Sequence, residues 1–217
     1  HISYIVYRIS YIVNYISFFQ KPRFAVLRYK PNSLQGLLSN KVSTLLVDED
    51  RGVWVGSNVG LSYFNHKSGK VTHYLESAST NKLNSTETYD VNFIHPAADG
   101  GVWIGLWGKG INLFSKDKKL TDFPFKPGVR EANFNTLEAY KSEFLLGTAG
   151  QGIVSFNPKT NQYGIPFTEL GKSNFLNKSI SAIRVIDEKE IWIGTVSYGL
   201  YVFDISTHKL RHYVKSA

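Results

Sequence analysis

The chain has no cysteine and no methionine among its 217 residues. Without cysteine there is no disulfide scaffold, no thiolate zinc site, no iron–sulfur cluster and no cysteine nucleophile. The compartment stays open, because oxidising spaces also hold cysteine-free proteins. Without methionine, and with His1 at its start, the chain is expected to be a fragment or a processed piece. Acidic residues are few, 17 Asp and Glu against 25 Lys and Arg, leaving a net charge of +8. Charged residues make up 19% and hydrophobic residues 42%, which excludes bulk disorder. Aromatic residues are plentiful: 4 Trp, 13 Tyr and 14 Phe, a composition that favours strands over helices. The length suffices to bury a sizeable core.

Residues 1–22 stand apart. ISYIVYR at 2–8 and ISYIVNY at 9–15 form a tandem repeat that begins again at Ile16. Ile2, Ile5, Ile9, Ile12, Ile16 and Phe19 follow the spacing of a heptad seam, but the run is too short for a coiled coil. A membrane-related segment, a strand and a low-complexity tail all fit this composition.

The remainder repeats. Four segments align on an anchor at Trp54, Trp103, Leu145 and Trp192, about 42–49 residues apart. An apolar residue and a glycine follow each anchor: Gly56, Gly105, Gly147 and Gly194. A second glycine comes at Gly60, Gly110, Gly152 and Gly199, then a strand-like run ending at Phe64, Phe114, Phe156 or Phe203. Turn residues divide each repeat into four short strands, as in Val42–Asp48, Val53–Ser57, Leu61–Asn65 and Val71–Leu75. In later repeats the last strand is expected at Leu120–Phe125, Gln162–Phe167 and Leu210–Val214. Four strands at this period predict an all-β fold, a β-propeller segment of four-stranded blades at about 42–75, 91–125, 134–167 and 180–214. Residues 23–29 read as the last strand of an earlier blade, which makes four blades or five. The recurring tryptophans are expected to pack between blades. A closed four-blade ring and an open arc are both compatible with this count. An open arc leaves two bare faces, each forfeiting roughly 10 kcal/mol at ~25 cal/mol per Å² over a few hundred Å². That rivals a whole domain's ~5–15 kcal/mol, so an isolated arc is expected to dimerise, aggregate or need further blades.

The run PNSLQGLLSNKVSTLLVDEDRGVWVGSNVGLSYF, from Pro31, resembles the two-component regulator propeller repeat. Ser39, Asn40, Val42, Asp48, Gly52, Trp54, Gly56, Gly60, Leu61 and Phe64 carry the resemblance. The fourth repeat matches through Asp187, Trp192, Ile193, Gly194, Thr195, Gly199, Leu200 and Phe203, and the second at Trp103, Ile104 and Gly105. The third lacks the Trp and the acidic turn. The resemblance implies the periplasmic ligand-sensing region of hybrid two-component sensors of Bacteroidota. It also implies oligosaccharide ligands, and further blades, a membrane helix and a histidine kinase elsewhere in the full-length chain. A homodimer is among the expected partners, and the role is binding rather than catalysis.

No nucleophile elbow, P-loop or zinc pattern is present, so no metal or cofactor is expected. His66 and His208 recur in one kind of turn, and His73 and His212 in one strand position, as solvated blade features do. Asp48, Glu49 and Asp50 read as a solvated hairpin turn rather than a calcium or acid pair. The positive charge is dispersed and lacks any recognition motif, so nucleic acid is not expected to bind. Two rivals to the sensor reading are a protein-interaction scaffold and a truncated non-signalling fragment. A propeller lyase or hydrolase would need groups such as His95 and Tyr198 to converge. The best ligand-binding candidates are off-pattern residues in the loops between second and third strands: Asn58, Trp107, Lys109, Gln151, Ser197 and Tyr198. These loops gather on one propeller face, where an aromatic ring such as Trp107 can stack on a sugar.

Overall fold

The computed structural model describes residues 26–29, 36–77, 88–125, 133–167, 170 and 178–215. The repeated segment at 1–22 lies outside them, as do residues 23–25 and most of the linkers between blades. Sixteen strands form four antiparallel sheets, each a meander in chain order. Blade 1 holds β1 (Val42–Val47), β2 (Val53–Ser57), β3 (Gly60–Asn65) and β4 (Lys70–Glu76). Blade 2 holds β5 (Val91–Pro96), β6 (Val102–Leu106), β7 (Gly110–Phe114) and β8 (Leu120–Phe123). Blade 3 holds β9 (Phe134–Tyr140), β10 (Glu143–Thr148), β11 (Ile153–Asn157) and β12 (Gln162–Gly164). Blade 4 holds β13 (Ile180–Ile186), β14 (Glu190–Thr195), β15 (Leu200–Asp204) and β16 (Leu210–Tyr213). This is the all-β propeller architecture expected from the repeats.

Three outer strands stop short of their expected ends, β16 by a single residue. Pro124 follows β8 and Pro166 lies two residues beyond β12, and neither can donate to the ladder. Upstream of blade 1, Tyr29 makes a single parallel bridge to Leu37 rather than joining a sheet.

The first strands of the blades pack in series, β1 on β5, β5 on β9 and β9 on β13. Among the described residues, β13 and β1 share no such packing, so the blades form an open arc. The core is correspondingly three clusters, one at each joint. Leu61, Val91, Ile104 and Phe114 fill the joint of blades 1 and 2. Trp103, Phe134, Leu146 and Phe156 fill the next, and Leu145, Ile180, Ile193 and Phe203 the last.

Each joint reuses the same devices. Trp54 lies 5.4 Å from Tyr74 of its own blade and 6.0 Å edge-on to Phe114 of the next. Trp103 likewise meets Phe144 at 5.3 Å and Phe156 at 6.1 Å across its joint. The glycine after the anchor makes room for the neighbour: a Cβ on Gly56 would lie 2.7 Å from Val91, and one on Gly147 would lie 2.7 Å from Ile180. The second residue of each first strand then donates across the joint. Ser43 donates to the Val91 carbonyl, Asn92 to the Phe134 carbonyl at 3.0 Å and Asn135 to the Ile180 carbonyl at 3.0 Å. Tyr163 adds a 2.6 Å bond from its hydroxyl to the Phe123 carbonyl.

The expectation that every recurring tryptophan packs between blades holds for Trp54 and Trp103 and not for Trp192. Trp192 is 41% exposed against 7% for Trp103, because among the described residues no blade packs on its outer face. Its indole NH donates to Glu190 at 2.9 Å within its own strand. The acidic turn is a staple. One Asp48 carboxylate oxygen accepts from the Gly52 amide at 2.7 Å and the other from the Tyr63 hydroxyl at 2.6 Å. Burial, and then this bond, push the Tyr63 phenol up to about 12. Among the described residues, no cluster of His, Asp or Glu could hold a metal ion.

Candidate functional site

The loops between second and third strands lie on one face with the residues that lead into each first strand. The backbone shows this in all four blades. Asn58, Trp107, Ala149 and Val196 donate their amides to the carbonyls of Lys41, Asp90, Asn133 and Ser179, each one residue before a first strand. Further bonds reach the next blade. The Gly108 amide donates to the Asn133 side chain at 2.6 Å, and the Gly152 amide to the Lys178 carbonyl at 3.1 Å. The face is therefore continuous from blade 2 to blade 4.

In the loops of blades 1, 3 and 4 a hydroxyl closes the turn. Thr148 donates to the Gly152 carbonyl at 2.9 Å and accepts from the Gln151 amide at 2.7 Å. Thr195 does the same with the Gly199 carbonyl at 2.8 Å and the Tyr198 amide at 2.9 Å. Gly152 has φ +74, a conformation that suits glycine in this tight reversal. Blade 2 carries Leu106 in place of the hydroxyl. There the buried Asn112 side chain substitutes, donating to the Lys109 and Gly110 carbonyls at 3.3 Å.

The sequence-predicted residues all lie in these loops. Trp107 is 50% exposed, and no ring or cation–π pair among the described residues includes it. Lys109 follows two residues on in the same loop, its ammonium 4.6 Å from the centre of the Tyr89 ring. Tyr198 is 51% exposed, with one ring face over the Lys178 ammonium at 3.7 Å. The His212 ring nitrogen meets the Tyr198 carbonyl at 2.7 Å, and that imidazole stacks on Tyr201 at 3.9 Å. Ser197 is exposed, whereas Asn58 and Gln151 are half-buried. The Asn58 carbonyl oxygen is buried and without a hydrogen-bond partner among the described residues. Tyr89, Lys178 and His212, which contact Lys109 and Tyr198, escape sequence reasoning because they sit in linkers or outer strands. An aromatic-plus-lysine pair flanking each variable loop is the signal that could have found them.

The arrangement offers two half-exposed rings, Trp107 and Tyr198, the second with the Lys178 ammonium over one face, and a further ammonium, that of Lys109, over the Tyr89 ring. It can stack on flat apolar surfaces and donate hydrogen bonds to oxygen-rich ligands. A His95–Tyr198 constellation is not assembled. His95 pairs with Trp103 towards the end of β5 far from this face, with Phe144 at 5.7 Å. Burial lowers its pKa, with the Pro96 carbonyl bond opposing.

Residues 36–59 match the model of the family described as two component regulator propeller. The first blade carries a two-component regulator propeller repeat. Solved structures extend the likeness to most of the chain. One is the extracellular domain of a protein described as a hybrid two component system of B. thetaiotaomicron. It aligns with TM-score 0.65 and 23% identity over 89% of this chain and 24% of that one. Another is the extracellular domain of a protein of that organism described as a one component system. Its TM-score is 0.63, with 21% identity over 87% of this chain and 24% of that one. Virginiamycin B lyase from Staphylococcus aureus aligns with TM-score 0.57 and 12% identity, over 81% of this chain and 56% of that one. At these identities the likeness shows the propeller fold. The chain spans about a quarter of the length of these two extracellular-domain chains. No curated protein matches the chain in sequence. Among the described residues, no helix is long and apolar enough to cross a membrane.

Proposed function

We propose that this chain is a ligand-binding part of an extracytoplasmic sensor propeller, with glycan-derived oligosaccharides as its ligand class. The observation that carries the reading is the half-exposed Trp107 ring, in one loop with Lys109, on the face where the variable loops gather. The regulator propeller repeat at residues 36–59 supports a signalling context. In that context a bound sugar shifts the population of propeller conformations and alters the output of a histidine kinase elsewhere in the full-length sensor. The role is binding, with Trp107 and Tyr198 as stacking platforms. Asn58, Lys109, Gln151 and Ser197 orient the sugar hydroxyls. The surplus of positive charge favours uronic-acid oligosaccharides over neutral ones.

The test is a titration of the whole chain with a panel of neutral and uronic-acid oligosaccharides, followed by tryptophan fluorescence and calorimetry. At least one member is expected to bind, and Trp107→Ala is expected to weaken it about tenfold, the loss of ~1.4 kcal/mol from one stacking contact. Failure of every member, or equal binding by Trp107→Ala, removes the reading.

A further inference from the structure

Lys178 is the only charged side chain that is buried among the described residues, at 8% exposure. It sits two residues ahead of β13, and its carbonyl accepts from the Gly152 amide in the blade 3 loop. Tyr201, which its ammonium approaches, belongs to the cluster that fills the joint of blades 3 and 4, with Leu145 and Ile153 of blade 3. The site therefore lies between two blades of the chain and not on an end of the arc.

The Lys178 ammonium meets aromatic rings and no anion. It lies 3.7 Å from the centre of the Tyr198 ring and 5.9 Å from that of Tyr201. The ion pairs among the described residues, Arg184–Glu138 and Arg211–Glu190, leave it out. The described carboxylates of blades 3 and 4 are Glu138, Glu143, Asp187, Glu188, Glu190 and Asp204, and all lie towards the opposite end of their blades. The Lys178 nitrogen is nevertheless not sealed off, as the side-chain oxygens of Asn58 and Asn112 are.

An ammonium has three hydrogens to donate, and taking it from water without acceptors costs free energy. Ring faces offset part of that cost. Lys109, Lys118 and Lys141 also lie against tyrosine rings, but all three are exposed and water serves them. Lys178 has the rings without the water, and an oxyanion arriving at the loop face would supply the missing acceptor.

We propose that the Lys178 ammonium is the subsite for the carboxylate of an acidic sugar, and that it sets the preference of this face for uronic-acid units over neutral ones. The inference rests on the reading of the face as a sugar-binding surface and adds the residue that recognises the charge. One ammonium matches the single negative charge of one carboxylate, through charge-assisted hydrogen bonds. The sugar ring that carries the carboxylate then lies beside Tyr198.

Calorimetric titration of the whole chain tests this, with oligosaccharides of galacturonate and of glucuronate, each beside its methyl ester. The ester keeps the shape and loses the charge. The wild type is expected to prefer at least one acid over its ester by at least about tenfold. That preference is expected to persist at about 0.5 M salt, where a preference arising from exposed charges is screened away. In Lys178→Met it is expected to fall to within about twofold, with affinity for the ester unchanged. Should Lys178→Met fail to fold, Lys178→Gln removes the same charge and keeps a polar end. Esters that bind as tightly as their acids, or a preference that survives the substitution, overturn the proposal and leave the sugar-binding reading standing. Equal weakening of acid and ester also overturns it, by showing that Lys178 only props Tyr198. A chain that binds no sugar, charged or neutral, removes the sugar-binding reading and this inference with it.

Discussion

Trp103 and Trp192 hold the same place in their blades, so exchanging each for alanine separates what the residue contributes from what its neighbour contributes. Their exposures are 7% and 41%. The difference is about a third of a tryptophan, or about 80 Å² on a side chain that buries up to ~250 Å². At ~25 cal/mol per Å² this is about 2 kcal/mol. Trp103 also leaves a cavity walled by Phe123, Phe144 and Phe156, whereas the outer side of Trp192 is already open. Trp103→Ala is therefore expected to cost about 3–5 kcal/mol, and Trp192→Ala at least about 2 kcal/mol less. The assay is urea unfolding followed by circular dichroism, at a dilution where the chain sediments as a monomer, with the slope checked for constancy. Equal costs at the two sites would refute the open arc, because they would place a covering element on Trp192.

The polar bonds at the joints make a second comparison. Asn92→Ala and Asn135→Ala each strip the partner from a carbonyl on a fully buried residue, Phe134 or Ile180, and are expected to cost about 1–3 kcal/mol. Ser181→Ala in the monomer should stay within about 0.5 kcal/mol, and the same unfolding curves decide. A third prediction concerns pH. Burial lowers the folded pKa of His95 below its ordinary 6.5, while the Pro96 carbonyl and Glu138 favour the charged form and Arg184 opposes it. The unfolded chain therefore binds the proton more readily. Stability is full above about 6.5 and falls as the pH drops below it. His95→Gln should flatten the decline between about pH 7 and 5 in thermal melts, and an unchanged decline counts against His95 as its source. The Asp204 carboxyl does not interfere. The Thr207 amide and Ser206 hydroxyl hold it at about 2, so its contribution disappears only as the pH falls from about 4 towards 2.

Much of the fold was legible because its repeating devices involve rare residues. Trp-x-Gly, the second glycine and the closing Phe stand out at any period. The third blade shows how tolerant the pattern is: Leu145 replaces the tryptophan and is still buried. Strand ends were less legible at Pro124 and Pro166, where a missing donor shortened an otherwise strand-like run. The joint donors Ser43, Asn92 and Asn135 went unnoticed because a small polar residue in an alternating strand reads as solvent-facing. Nor could the repeats announce the open ends. Trp192 and Trp103 have the same local sequence context, and only the presence of a following blade decides which is buried. The loop candidates were placed on their face by topology alone, while Lys178, whose ammonium lies over the Tyr198 ring, comes from a linker with no pattern.

The joint donors all point the same way, from each blade to the next in chain order. Such a row has a direction, like a series of plugs and sockets. A repeat can be gained or lost whole by recombination between like segments, because the new neighbours meet through the same glycine, carbonyl and side-chain donor. A repeat inserted out of phase, with its boundaries inside a blade, would break two joints at once. Blade number is thus free to drift in steps of one in the evolution of such chains, while the boundaries of each unit stay fixed.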